Sequence, residues 1–252
     1  MADMPGLRLF CLPYSGASAM VYARWRRRLP TWLEVRPVEL PGRGVRAAEP
    51  FAEDAVALAG RLAMELLPQL DAPYALFGHS LGSLLAFEVA HALRQHGAPA
   101  PRALFVSGGA APARRDFQDY ARPKSDDELV ERLRALKGTP EEVFAHRELL
   151  EMALPILRAD FLLCGRYRHQ IRAPLDLPIH VLGGHEDDVE PEDLQAWGEE
   201  TRGPCSVDLF DGHHFFIHER EPEVLALLER HGHAYARPAS PHGAARAPLP
   251  SH

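Results

Sequence analysis

Short apolar runs alternate with longer amphipathic segments along this chain. The short runs predict strands at 7–12, 35–39, 74–78, 103–107, 179–182 and 207–210. Between them, 51–70 and 81–95 carry apolar residues at helical spacing, which predicts two helices packed on sheet faces. Strands alternating with helices give an α/β class with a mostly parallel central sheet flanked by helices. No repeat of solenoid length is present, so a solenoid is not expected, and the order of the segments gives a single domain over 1–235.

Residues 112–171 break the alternation. Ser125-Asp126-Asp127-Glu128 and Thr139-Pro140-Glu141-Glu142 are both capping boxes, so two helices are predicted to start there. Pro155 is expected to kink or divide the segment that follows. A helical insertion of about sixty residues far exceeds a usual connection of about 4–6 residues and is expected to form a lid or a small cap domain. From Ala236 to His252 the chain turns to Ala, Pro, His and Arg without periodicity, and a disordered tail is predicted.

Composition narrows the possibilities. Of 252 residues, 46% are hydrophobic, enough for a sizeable core. The 28 Lys and Arg against 35 Asp and Glu leave a net charge of −7, so no global basic field draws the molecule to nucleic acid or to a membrane surface. Cys11, Cys164 and Cys205 form neither an even set nor a C-x-x-C pair, which disfavours a disulfide framework and a thiolate metal site. With no basic leader and no long apolar span, the expectation is a soluble protein of a reducing cytoplasm.

The sharpest chemical signal is Gly78-His79-Ser80-Leu81-Gly82, set between a predicted strand and a predicted helix. That context is a nucleophile elbow, in which small flanking residues tolerate a strained turn that exposes a serine hydroxyl. A serine needs a base to take its proton, and the order serine, acid, histidine places the base after the last strand. Asp211-Gly212-His213-His214-Phe215-Phe216 follows that strand, and His213 and His214 compete. Glu186, Asp187 and Asp188 compete for the acid, after the Gly183-Gly184 turn. His218 lies four residues beyond His214, but without H-E-x-x-H or a third ligand no metal is expected. An oxyanion hole needs two backbone N–H groups: Leu81 supplies one, and Ser15 is the first choice for the other, beside Tyr14 and Gly16.

With these residues in view, the chain resembles the type II thioesterases of polyketide synthases and nonribosomal peptide synthetases, from about Leu7 to Leu228. The resemblance rests on Leu12-Pro13-Tyr14-Ser15-Gly16-Ala17-Ser18-Ala19 with Trp25, Leu40-Pro41-Gly42-Arg43-Gly44 and the serine elbow. It also rests on Leu136-Lys137-Gly138-Thr139-Pro140, Leu154-Pro155-Ile156-Leu157-Arg158-Ala159-Asp160, the Gly-Gly turn with Trp197, and His214-Phe215-Phe216. It implies an α/β-hydrolase fold, His214 as base because it precedes the Phe-Phe pair, and Asp187 as acid because it is third after the Gly-Gly turn.

The resemblance further implies hydrolysis of acyl or aminoacyl thioesters on phosphopantetheinyl carrier proteins by a monomer needing no cofactor. Small acyl thioesters would also be substrates. Two rivals stand beside this reading: a carboxylesterase of free esters, and a non-catalytic accessory of the same fold. Arg24-Trp25-Arg26-Arg27-Arg28 is either a solvated helix face or a basic patch for an acidic carrier. Phe215 and Phe216 either line a pocket or lock the histidine loop.

Overall fold

Strands buried on both faces read as continuous apolar runs, and the four central strands are of this kind. The computed structural model describes residues 6–116, 120–137, 144 and 146–236. Its strands are β1 (Leu7–Leu12), β2 (Leu33–Pro37), β3 (Tyr74–His79), β4 (Leu104–Ser107), β5 (Ile179–Gly184) and β6 (Cys205–Phe210). They form one sheet in the order β2-β1-β3-β4-β5-β6, and every neighbouring pair is parallel. The strand β2 starts two residues before the predicted position, because Leu33 and Val35 are its inward residues and Pro37 ends its pairing.

Helices cover both faces. On one, α2 (Ala55–Leu66) and α3 (Leu81–Gln95) bury Leu58, Leu62, Leu84 and Val89 against the sheet. On the other, Trp25 of the short α1 (Trp25–Arg28) packs with Val224 and Leu228 of the C-terminal helix. Helix α2 is shorter than predicted at both ends. Asp54 caps it by accepting from the Ala57 N–H at 2.7 Å, and a 3-10 turn containing Pro68 closes it.

Between β4 and β5 lies a helical insertion. Its described parts include α4 (Asp126–Ala135), begun by the predicted Ser125–Glu128 capping box, and α5 (Arg147–Arg166). Leu129, Leu154, Leu157 and Phe161 form a small hydrophobic cluster of their own there. Pro155 does not divide α5. It sits on the exposed face, and the helix runs on past it to Arg166. The second capping box, at 139–142, and the tail from 237 onward lie outside the described residues.

The remaining helices are α6 (Pro191–Gln195), α7 (Phe216–Glu219) and α8 (Glu221–Tyr235). The reversal of strand order between β1 and β3 opens a crevice at the carboxyl ends of those strands, where ligands of open α/β sheets bind. The loop containing Ser15 and the elbow containing Ser80 both leave the sheet at this point.

Away from that crevice, His180 of β5 bonds Ser206 Oγ and the Tyr235 hydroxyl at 2.7 Å each, and its ring lies 3.9 Å from that of His231. Burial, then His231 and Arg230, bring the His180 pKa down from 6.5 to about 4. An imidazole held neutral by folding takes its proton more readily when unfolded, so stability is full above pH 6.5 and is lost as pH falls toward 4. Melting curves across this window should fall less steeply for His180→Gln than for wild type. Parallel slopes would remove this pair from the acid response.

Candidate active site

The elbow is built by close approach. A Cβ on Gly78 would lie 1.9 Å from the Gly82 carbonyl oxygen, and one on Gly82 would lie 2.2 Å from the Leu12 oxygen, so only glycine fits at either position. Between them Ser80 adopts φ 55 and ψ −113, a positive φ that a serine accepts only when its surroundings hold it there. Its N–H donates to the Ser107 carbonyl at 2.8 Å, fixing the elbow to β4.

The Ser80 hydroxyl reaches His214 Nε2 at 3.1 Å, and His214 Nδ1 lies 3.0 Å from Asp187 Oδ2 and 3.1 Å from Oδ1. With its Nδ1 proton facing the carboxylate, the imidazole presents a lone pair to the serine. The Asp187 side chain is only 3% exposed, whereas Asp188 is exposed. Glu186 Oε2 lies 3.2 Å from His213 Nε2 instead, and Lys137 Nζ of the insertion lies 3.1 Å from the same nitrogen. The Gly-Gly turn brings the two loops together, since a Cβ on Gly184 would lie 2.7 Å from the Gly212 and His213 carbonyl oxygens.

Leu81 opens α3, so its N–H has no carbonyl a turn earlier to bond. In the β1 loop the Gly16 N–H already donates to Asp160 Oδ2 at 2.8 Å, which removes Gly16 from the oxyanion candidates and leaves Ser15 and Tyr14. Asp160 of α5 also forms a two-pronged ion pair with Arg43, both contacts 2.6 Å, with the side chains 2% and 4% exposed. The Pro-Gly-Arg-Gly and Leu-Pro-Ile-Leu-Arg-Ala-Asp segments therefore meet in one buried contact that positions the β1 loop. Sequence reading singled out both segments but assigned no contact between them.

Aromatic residues secure the histidine loop. Phe216 is fully buried and stacks on Phe210, while Phe215 lines the cavity and meets Tyr14 edge to face, so each takes one of the two expected roles. The Tyr14 hydroxyl and His218 Nε2 hydrogen-bond at 2.9 Å. Burial pushes Tyr14 up to about 12, and burial followed by His214 and His218 holds His79 well below the usual imidazole range. His79 is thus neutral beside His214, and its Nδ1 pairs with Ser107 Oγ at 2.9 Å.

Ser80, His214 and Asp187 open onto a cavity of about 320 Å³. Leu133, Leu136, Leu157 and Phe161 of the insertion supply an apolar wall, and Ser15, Arg115 and Cys164 also border it. Burial raises the Cys164 thiol to about 12, so it is no thiolate nucleophile. Among the described residues no group of three or more His, Cys, Asp or Glu could hold a metal ion, and no helix is long and apolar enough to cross a membrane.

The four arginines of the basic segment 24–28 are exposed, and three of them also bond inward. Arg24 and Arg28 clamp the buried Glu221 carboxylate at 2.6 and 2.5 Å, Trp25 donates to the same group, and Arg26 donates to the Val35 carbonyl. The segment is a solvated helix face that also fastens α1 to α8 through Glu221.

A model of the thioesterase domain family matches residues 7–231. The chain is 39% identical over 225 residues to linear gramicidin dehydrogenase LgrE of Brevibacillus parabrevis, covering 88% of this chain and 86% of that one. It is 38% identical over 227 residues to gramicidin S biosynthesis protein GrsT of Aneurinibacillus migulanus, covering 88% and 87%. Among solved structures, the type II thioesterase BorB from the borrelidin biosynthetic cluster matches with a TM-score of 0.84 at 39% identity, covering 91% of this chain and 94% of that one.

Proposed function

This chain belongs to the thioesterase family, and from that premise we propose that it is a type II thioesterase of polyketide or nonribosomal peptide assembly. It hydrolyses acyl or aminoacyl groups held as thioesters on the phosphopantetheine arm of carrier proteins. The observation that carries this reading is the hydrogen-bonded line from Ser80 through His214 to Asp187, opening on a cavity walled by the helical insertion. The relative named for gramicidin S biosynthesis and the structure from the borrelidin cluster support the assignment to assembly lines.

Ser80 Oγ attacks the thioester carbonyl while His214 Nε2 takes its proton, and buried Asp187 stabilises the imidazolium. Negative charge on the tetrahedral oxygen rests on the Leu81 and Ser15 N–H groups; a single such donor is worth about 10²–10³ in rate. Collapse breaks the C–S bond, and the departing thiolate takes the proton from His214. Water then attacks the acyl-enzyme with His214 again as base, which frees the acid and restores the serine. The route needs neither metal nor organic cofactor. The insertion acts as a lid whose wall selects the acyl group. Three unpaired cysteines, two of them buried, suit a reducing cytoplasm.

Incubation with a carrier protein loaded with short acyl groups, followed by mass measurement of the carrier, tests the proposal. Loss of the acyl mass is expected, faster than hydrolysis of the matched free oxygen ester. Equal or greater efficiency on the free ester would replace this reading with a carboxylesterase.

A further inference from the structure

The strained elbow needs something to hold it, and a hydrogen-bonded chain under Ser80 does so. The Ser80 carbonyl accepts from Ser83 Oγ at 2.6 Å and from the Ser83 N–H at 3.1 Å. Ser83 Oγ in turn accepts from Arg115 Nη2 at 2.6 Å, and Arg115 Nη1 reaches the Ser80 carbonyl itself at 3.4 Å. The guanidinium is fixed from its other side by Nε, which donates to the Ala110 carbonyl at 2.8 Å. Ser83 is fully buried, so its hydroxyl has no water to substitute for these partners.

Gly109 is shaped to this arrangement. A Cβ there would lie 2.4 Å from Arg115 Nη2 and 2.7 Å from Ser83 Oγ. The planar fork of arginine spans two acceptors at fixed spacing, which a lysine ammonium cannot do. Burial brings the Arg115 pKa down to about 10, leaving it charged at neutral pH.

We infer that Arg115, acting through Ser83, is a positioning residue that holds the Ser80 backbone in its strained turn and so keeps Oγ aimed at His214 and the incoming carbonyl. Arg115 stands where the chain leaves β4 for the insertion, so the same side chain ties the root of the insertion to the nucleophile. The inference rests on the reading of Ser80 as nucleophile and not on the identity of the acyl donor. Misplacing a reacting group by about 1 Å costs up to about 10²-fold in rate, which sets the size of the effect.

The test is inactivation by a fluorophosphonate, which forms a bond from Ser80 Oγ to phosphorus and expels fluoride without any thioester. Arg115→Met and Ser83→Ala should lower the maximal inactivation rate by about 10- to 100-fold with a nearly unchanged half-saturating concentration. Arg115→Lys should recover only part of the loss. Gly109→Ala, which displaces the clamp but keeps its charge, should lower the same rate, and rates are compared per folded protein from melting curves. Wild type labelled at Ser80 with Arg115→Met and Gly109→Ala inactivated at the wild-type rate would overturn the clamp alone. Wild type unlabelled at Ser80 would overturn the nucleophile reading and the clamp with it.

Discussion

Ser80→Ala is expected to lower kcat for thioester hydrolysis by about 10⁵–10⁶-fold, and His214→Ala by a similar factor, because nucleophile and base act as one unit. The double variant should be little worse than either single one. Asp187→Asn keeps the shape but loses the carboxylate that orients the imidazole and stabilises its charged form, at a cost of about 10⁴. Asp188→Asn should fall within a few-fold of wild type, since Asp188 is exposed while Asp187 is the carboxylate bonded to His214. Steady-state kinetics on one acyl-carrier substrate separate these cases. A greater loss for Asp188→Asn than for Asp187→Asn would mean that the acid has been assigned one position early.

The second large effect concerns stability. Asp160→Ala leaves the Arg43 guanidinium buried without its carboxylate and strips the Gly16 N–H of its acceptor. Breaking a buried pair from one side typically costs about 3–5 kcal/mol, and for a domain of this size that lowers Tm by roughly 10 °C. Arg43→Ala should cost a similar amount. The pair Arg43→Met with Asp160→Leu should be less damaging than either alanine variant, because no charge is then left buried. Denaturant unfolding measures all three, and a double variant as unstable as the sum of the singles would show that the ion pair is not the source of the loss. Asp160→Asn retains an acceptor for Gly16 and should keep more activity than Asp160→Ala.

The strands, the two helices around the elbow and the first capping box were legible in the sequence because each is a local pattern. Gly78 to Gly82 is local in the same sense: the turn, the serine and the following helix lie within one short stretch. The choice among Glu186, Asp187 and Asp188 is not local. It depends on the backbone at 212 and 213 lying against Gly184, a contact that hydrophobic periodicity does not encode. The family resemblance pointed to Asp187 where the residues alone left three options.

Arg43 and Asp160 lie 117 positions apart, and one sequence holds no record of their pairing. The run from Arg24 to Arg28 is the exposed face that its charge suggests, but its anchoring on Glu221, nearly two hundred residues later, was hidden for the same reason. Of the two outcomes expected at Pro155, division of the helix does not occur, and local pattern does not decide this because it depends on whether solvent can satisfy the carbonyl a proline strands.

The hydrophobic cluster of the insertion has a consequence for how such an enzyme changes over evolution or under engineering. Leu129, Leu154, Leu157 and Phe161 pack among themselves, apart from the two larger clusters on the sheet faces. Ser80, Asp187 and His214 stand on the ends of the sheet or on the loops leaving it, so recombining or redesigning the insertion beyond Arg115 redraws the cavity wall while the three side chains keep their own supports. Leu157 limits that freedom, since its side chain comes within 3.3 Å of where a Gly16 Cβ would lie, and with Asp160 it marks the seam at which an exchanged segment has to match the scaffold.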